Sequence, residues 1–236
     1  MQKGILYLIP VPLDNNKPDE SIPASTLNIV RSLRSFIVED IRSARRFLRS
    51  AGYQGDFSDI IFQILNEHSN PAEIPGLIKQ MNSGVNTGLL SEAGAPCVAD
   101  PGASVVAEAH RNNIKVVPLH GPSSILLALM ASGFNGQQFA FHGYLPVKDP
   151  ERINKIKELE SEALKKGQTQ IFIEAPYRNL QLLNSILKAC NNSTMLSIAC
   201  NIGNSDERIA TRPVSWWKNM QPDLHKKPAV FLLSRE

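Results

Sequence analysis

Short apolar runs alternate with longer amphipathic stretches along the first half of the chain. Strand-forming residues dominate these runs, which cover residues 4–9, 35–39, 60–65, 87–91 and 115–118. Helix signals lie between them, including Pro23 for a first turn, Asp40 for an N-cap and Gly52 for a stop. Strands that alternate with helices predict a parallel sheet with helices on both faces.

The pattern changes after a helix predicted at 123–132. A strand at 138–142, a long charged helix over 150–166, a strand at 169–173 and a helix over 178–189 come first. Two further strand-like runs follow, at 195–200 and 229–233. This order predicts a second, mixed sheet that contains antiparallel pairs. We therefore expect an α/β protein of two α/β domains, residues 1–118 and 119–236.

The loops after the fourth and fifth strands are rich in Gly and Pro. They read SEAGAPCVADPG (91–102) and LHGPSS (119–124). Proline stiffens a loop and glycine allows close approach of the backbone, and ligands of parallel sheets gather beyond the carboxyl ends of the strands. These loops are predicted to form half of a binding site, with GPSS at the seam between the two domains.

Composition and charge add few constraints. The hydrophobic fraction of 42% and the charged fraction of 20% are ordinary for a globular protein. A net charge of +3 neither requires nor excludes a polyanionic partner. Arginines are concentrated early in the chain, and the simplest interpretation is a solvated helix face; they are Arg31, Arg34, Arg42, Arg45, Arg46 and Arg49.

Several classes of site are excluded by missing motifs. No G-x-G occurs, and neither a P-loop nor a G-x-S-x-G nucleophile motif is present, so a nucleotide-like ligand would be held in another way. The three cysteines are widely spaced and the histidines are scattered, which predicts no disulfide framework and no metal site. The first apolar run is cut by Pro10 and Pro12, and we expect a cytoplasmic protein with no membrane partner.

Six motifs carry a resemblance to a known family. LLSEAGAPCVADPG (89–102) resembles the S-D-A-G-T-P-x-I-S-D-P-G segment of the tetrapyrrole methylase superfamily, the class III S-adenosylmethionine-dependent methyltransferases. The similarity is greatest to the branch that methylates a cytidine ribose 2′-hydroxyl in small-subunit ribosomal RNA. The other matches follow the chain order of that branch: LYLIPVPL (6–13), EDIR (39–42), VVPLHGPSS (116–124), FHGYLPVK (141–148) and EAPYR (174–178).

The resemblance implies S-adenosylmethionine bound in a cleft between the two domains, usually in a homodimer. The residues implied to hold the cofactor are Pro12, Ala93, Gly94, Ala95, Cys97, Val98, Ser123 and Ser124. Glu39 is the candidate general base, and Arg42 the partner of a phosphate or of the developing alkoxide. In the second domain, Lys148, Arg152 and Arg178 are candidate contacts with RNA phosphates.

Some of these residues have competing structural interpretations. Asp40 and Asp100 stand where helix caps belong, and Tyr177 suits core packing better than stacking on a base. The chain also departs from the branch, with Asp14, Asn15 and Asn16 where the first loop has a Gly, Ile41 for a Thr, and Tyr177 for a His. Two other functions therefore stay open: a methylase of a tetrapyrrole or other small molecule, and a non-catalytic RNA-binding module.

Overall fold

The computed structural model describes residues 2–13, 18–220 and 222–235. The polar residues Asp14, Asn15 and Asn16 of the first loop lie outside the described ranges. The chain divides into two compact units, Met1–Ser123 and Ser124–Glu236. This division falls after Ser123 rather than after Pro118, because residues 119–121 pack on the first unit: the Leu119 amide donates to the Leu8 carbonyl, and Thr26 Oγ1 donates to the His120 carbonyl.

The first unit is built on a five-stranded sheet in the order β3-β2-β4-β1-β5, in which every pairing is parallel. Its strands are β1 (Ile5–Ile9), β2 (Ser35–Val38), β3 (Ile61–Ile64), β4 (Thr87–Leu90) and β5 (Lys115–Pro118). Its helices are α1 (Pro18–Ser21), α2 (Ala24–Ser32), α3 (Ile41–Ser50), α4 (Ile74–Leu77), α5 (Lys79–Asn82) and α6 (Ala103–Arg111). Two short 3-10 helices lie at Phe57–Asp59 and Pro71–Glu73.

Both faces of this sheet are covered, because alternate residues of its central strands point to opposite sides. Phe36 and Val38 of β2 join the core that α2 and α3 cover, whereas Ile37 joins the core that α4, α5 and α6 cover. The prediction of helices on both faces of a parallel sheet is confirmed. All four residues of β2 and all four of β4 are buried, which fits the continuous apolar runs read from the sequence.

The second unit contains a mixed five-stranded sheet in the order β6-β7-β10-β8-β9. Its elements are α7 (Ser124–Ser132), β6 (Phe139–Tyr144), α8 (Asp149–Lys166), β7 (Thr169–Ile173), a 3-10 helix (Pro176–Arg178), α9 (Asn179–Ala189), β8 (Met195–Cys200), β9 (Arg208–Pro213), α10 (Val214–Trp217) and β10 (Ala229–Ser234). Strands β6 and β7 are parallel and the other pairs antiparallel, so the predicted mixed sheet is confirmed.

Two local features differ from the sequence predictions. Strand β9 was not predicted, because RIATRP is polar and ends in Pro213, a composition that an edge strand tolerates. Asn70 and Glu73 resemble a capping box and predict a single helix over 70–82, but this segment is divided into a 3-10 helix, α4 and α5, with Pro75 and Gly76 inside α4. None of the helices in the described ranges has the length and apolar character needed to span a bilayer.

Candidate active site

Three loops meet at the carboxyl edge of the first sheet, around Gly94. The amide of Val11, in the loop after β1, donates to the Gly94 carbonyl at 2.9 Å, and the Gly94 amide donates back to the Val11 carbonyl at 2.8 Å. A Cβ added at Gly94 would lie 3.1 Å from Leu13 Cδ2 and 3.9 Å from the carbonyl oxygen of Pro122, in the loop after β5. Pro12 and Ala93, Gly94 and Ala95 are therefore neighbours, as expected of residues that share a site.

The loop after β4 is held in a strained shape by one carboxylate. Cys97 and Ala99 have φ values of +69° and +61°, in the left-handed region that non-glycine residues rarely adopt. Asp100 Oδ2 accepts from the Cys97 amide at 2.8 Å, and Asp100 Oδ1 accepts from the Gly102 amide at 2.7 Å. A Cβ at Gly102 would lie 2.7 Å from Leu89 Cδ2 and 2.9 Å from Asp100 Oδ1, so a larger residue would have to displace these side chains. Backbone strain that is stabilised by surrounding contacts, as at Cys97 and Ala99, is typical of ligand-binding loops.

Asp100 therefore does not act as the predicted N-cap of a helix. Helix α6 begins at Ala103, and its N-cap position is Gly102, which makes no side-chain capping bond. Both Asp100 oxygens are instead used within the loop. The Asp-Pro pair looks like a helix start in the sequence, but the chain needs two more residues to turn from the loop into the helix.

The loop leaves backbone donors for a ligand. Among the described contacts, the amides of Ala93, Ala95, Val98 and Ala99 donate to no group of the protein. Ala93 and Val98 are exposed and Ala95 is half-buried. Backbone donors arranged in a stiff loop suit a ligand with several polar atoms, such as a nucleoside. Of the small residues after β5, Ser123 is half-buried in the first unit, and Ser124 opens α7 in the second unit.

Glu39 lies at the end of β2 beside this loop. Burial raises the pKa of its carboxyl group, and the negative charges of Asp100 and Glu92 raise it further. Glu39 Oε1 accepts a long hydrogen bond of 3.3 Å from the Glu92 amide. A half-buried carboxylate with a raised pKa is a better proton acceptor than an exposed one.

Two shallow depressions flank Glu39 and share Val38 and Leu90. One reaches Val11, Ser43 and Glu92, and the other reaches Asp100 and Gly102. The Glu39 carboxylate is thus accessible from the side of the first loop and from the side of the strained loop.

The residues after Glu39 have separate roles. Asp40 Oδ1 accepts from the Ser43 amide at 2.8 Å, and this bond, with help from Arg42, holds the pKa of the Asp40 carboxyl below its usual range. Asp40 is therefore the N-cap of α3, as its position predicted. Arg42 is exposed, and no hydrogen bond or ion pair among the described residues joins it to Glu39.

Cys97 is part of the loop but is not a nucleophile. Burial and the nearby Asp100 raise the pKa of its thiol to about 12. The thiol therefore stays protonated at neutral pH, and only thiolates react or bind metals efficiently. Cys97 contributes its backbone and its volume to the loop.

Arg152 is not available to RNA. Its side chain is only 4% exposed and forms an ion pair with Asp149, while Nη1 donates to the Val147 carbonyl at 2.7 Å and Nε donates to Ser185 Oγ at 2.9 Å. The predicted phosphate contact is wrong at this position. Arg152 ties the first turn of α8 to α9 instead.

We expect Arg152→Ala to lower the free energy of unfolding by roughly 2–4 kcal/mol, since it leaves Ser185 and Asp149 without their charged partner. Chemical denaturation measures this value. Lys148→Ala, four residues earlier at an exposed position, is the matched control and should change stability by no more than about 0.5 kcal/mol. Equal stability of the two variants would contradict the structural role of Arg152.

Arg178 neutralises a buried carboxylate. Its Nε and Nη2 donate to Glu174 Oε1 at 3.0 and 2.7 Å, and the Glu174 side chain is fully buried. Arg178 also lies over the Tyr177 ring, 5.0 Å from its centroid. Tyr177 is 64% exposed, so the prediction of core packing for this residue is wrong. Of the three predicted phosphate contacts, Lys148 alone presents an exposed side chain.

Sequence reasoning missed the two contacts that organise the loop. The Val11–Gly94 pairing joins loops that are far apart in the chain. The two hydrogen bonds that the Asp100 carboxylate accepts fix the backbone at Cys97. A signal for the second was present, because Asp followed by Pro-Gly is typical of a side-chain-stabilised turn. No local pattern marks the first.

A family profile and curated relatives of known name both match this chain. The profile of the tetrapyrrole (corrin/porphyrin) methylases matches residues 26–215. The ribosomal RNA small subunit methyltransferase I of Vibrio cholerae is 30% identical over 233 residues, which cover 97% of this chain and 76% of the relative. The protein of the same name from Bacillus subtilis is 35% identical over 186 residues, covering 78% of this chain and 59% of the relative.

Solved structures share the fold at low sequence identity. The methyltransferase CobJ has a TM-score of 0.66 at 12% identity, covering 98% of this chain and 94% of its own. Uroporphyrin-III C-methyltransferase from Thermus thermophilus has a TM-score of 0.60 at 16% identity, covering 100% of this chain and 93% of its own. The family resemblance read from the motifs is confirmed. The chain belongs to the tetrapyrrole methylase family, and it is a methyltransferase.

Proposed function

We propose that the protein is an S-adenosylmethionine-dependent methyltransferase that modifies a ribose 2′-hydroxyl in small-subunit ribosomal RNA, with Glu39 as general base. The observation that carries the proposal is the half-buried Glu39 carboxylate, whose pKa is raised, next to a stiff loop with unused backbone donors. The names of the relatives support RNA as the substrate class.

The residues of the loop after β4 fit the cofactor. A nucleoside with an amino-acid tail offers hydroxyls, ring nitrogens and a carboxylate, which match the amides of Ala93, Ala95 and Val98. Gly94 and Pro12 would bring backbone close to the ligand, and Ser123 and Ser124 would add hydroxyl groups. When bound, S-adenosylmethionine supplies an electrophilic methyl group on a sulfonium.

The reaction needs one proton acceptor and accurate positioning. Glu39 would accept the proton of the ribose hydroxyl, and the bound cofactor would supply the methyl group that the ribose oxygen takes up. Holding the two reactants in line supplies much of the rate enhancement. A base whose pKa is raised toward the working pH accepts the proton more readily than an ordinary carboxylate.

Transfer of tritium from S-adenosyl-[methyl-³H]methionine tests the proposal. The acceptors are small ribosomal subunits from a strain that lacks the protein, and subunits from the parent strain are the control. We expect label only in the former, at one nucleotide that resists alkaline hydrolysis because its 2′-oxygen is blocked. Label at an alkali-sensitive nucleotide would contradict the ribose assignment but leave the RNA substrate.

Calorimetry with S-adenosylmethionine and S-adenosylhomocysteine separates the alternatives. Binding of both without label in RNA would favour a small-molecule methylase, and the absence of binding would favour a non-catalytic RNA-binding module. A homodimer in the cytoplasm is part of the same proposal, and sedimentation of the purified protein tests the dimer.

A further inference from the structure

Helix α3 presents a row of arginines on one face. Arg45 and Arg46 lie three and four residues after Arg42, and Arg49 lies four and three residues after them, which places all four on neighbouring turns of the same side. The opposite side, with Ala44, Phe47 and Leu48, is buried in the core of the first unit. We call these four arginines the arginine row.

No ion pair within the described part of the protein neutralises the arginine row. None of its members forms an ion pair with a described carboxylate, and α3 itself contains no acidic residue. Asp40, which caps α3, interacts electrostatically with Arg42, and Asp56, which accepts from the Ser58 amide, interacts with Arg49, but neither forms an ion pair with the row. Both are used in backbone turns, so a row of positive charges remains available to a partner.

Aromatic rings hold two of these side chains in place. Arg45 lies over Phe57 and Phe62, at 5.6 and 5.5 Å from the ring centroids, and Arg49 lies over Phe57 at 4.6 Å. A guanidinium stacked on a ring keeps the N–H donors in its own plane, where they can reach an anion. Arg49 uses one of these donors on the Tyr53 carbonyl, and Arg45 uses none on any described group.

The arginine row begins beside the candidate catalytic residue. Helix α3 follows β2 directly, and Arg42 is the third residue after Glu39. Because β2 and β3 are parallel, α3 must run back along the sheet from its carboxyl edge. From Arg42 to Arg49 the helix rises about 10 Å, which is long enough to contact more than one phosphate.

We propose that the arginine row is the docking surface for the phosphate backbone of the RNA substrate, a role that rests on the proposed function. An RNA strand lying along α3 would have one nucleotide next to Glu39. Arginine suits this task because its planar donors match phosphate oxygens. A row of separated charges on a convex helix fits an extended polyanion better than a single small anion, which needs donors that converge.

The test is the salt dependence of RNA binding by the full chain. The variant Arg45→Gln, Arg46→Gln, Arg49→Gln removes three charges from the row, and Lys79→Gln, Lys157→Gln, Lys165→Gln removes three exposed charges elsewhere as the matched control. Dissociation constants for a small-subunit ribosomal RNA fragment are measured between about 50 and 200 mM salt. Thermal unfolding by circular dichroism verifies that both variants fold.

We expect the arginine variant to bind RNA at least about tenfold more weakly, and its slope of log K against log salt to fall by about 2. The lysine control should keep the slope of the unchanged protein. In the methylation assay, the KM for RNA should rise while kcat stays the same.

The outcomes separate this proposal from the proposed function. Unchanged slopes in the arginine variant, with methylation intact, would overturn the docking surface alone. A reduced slope in the variant, with no methylation of RNA by the unchanged protein, would leave the docking surface and overturn the proposed reaction. The absence of salt-dependent RNA binding by the unchanged protein would also overturn the docking surface.

Discussion

Replacement of Glu39 by Gln is expected to lower kcat for methyl transfer by about 10²- to 10⁴-fold, the usual contribution of a positioned general base. The amide keeps the size of the side chain and can still accept the bond from the Glu92 amide, but it cannot take up a proton. Cofactor affinity measured by calorimetry should stay the same. A kcat within a factor of two of the unchanged protein would exclude Glu39 as the base.

The pH dependence gives a second measurement of the same role. The base is active when ionised, and the pKa of the Glu39 carboxyl is raised above its ordinary value of 4.5, so activity should fall already as the pH drops through this raised value. The charge of Glu92 contributes to the increase. Glu92→Gln should therefore lower the pKa of Glu39 and move the acid limb of the kcat/KM profile to lower pH.

Stability measurements separate loss of the base from loss of the fold. A carboxyl whose folded-state pKa is raised binds more protons when folded than when unfolded, so its contribution to stability falls as the pH rises through that range. At a pH above the raised pKa, the charged Glu39 carboxylate disfavours the folded state. The melting temperature of Glu39→Gln at neutral pH should equal or exceed that of the unchanged protein, although the variant is inactive.

Replacement of Asp100 by Ala is expected to weaken S-adenosylmethionine binding about 30-fold, or roughly 2 kcal/mol. The change removes both hydrogen bonds that hold the loop after β4, at 2.8 Å to the Cys97 amide and 2.7 Å to the Gly102 amide. Cys97 and Ala99 can then leave the left-handed region, and the cofactor must restore that conformation when it binds. Calorimetry measures the change.

A matched control exists in the same unit. Asp56 also accepts a backbone amide two residues later, that of Ser58, but it lies outside the loop after β4. Asp56→Ala should leave cofactor affinity unchanged. If both alanine variants bind cofactor as tightly as the unchanged protein, the inference that Asp100 preorganises the loop is wrong.

Asp100→Asn removes the negative charge of this side chain, which should lower the pKa of Glu39. The remaining Oδ1 atom can still accept a hydrogen bond from one amide.

The elements of the first unit could be predicted because their signals are local. Continuous apolar runs specify the buried strands, and Asp40 at the end of β2 specifies a helix cap through a bond to Ser43, three residues later. The same locality explains the errors. Strand β9 is polar and depends on pairing with β8, and Asp100 uses its oxygens within a loop whose shape the sequence does not specify.

The two α/β sheets and the family could be predicted from the sequence, because strand and helix periodicity and the Gly and Pro positions are encoded within a few residues of each other. Which charged side chains form pairs inside the protein is visible only in the folded chain. The sequence does not distinguish Arg152 and Arg178 from Arg45. In the structure, Arg152 pairs with Asp149 and Arg178 pairs with Glu174. Arg45 instead lies on aromatic rings, and its donors are unused by the described residues. The reason is that burial and pairing of a charge depend on contacts between distant segments, which no local pattern records.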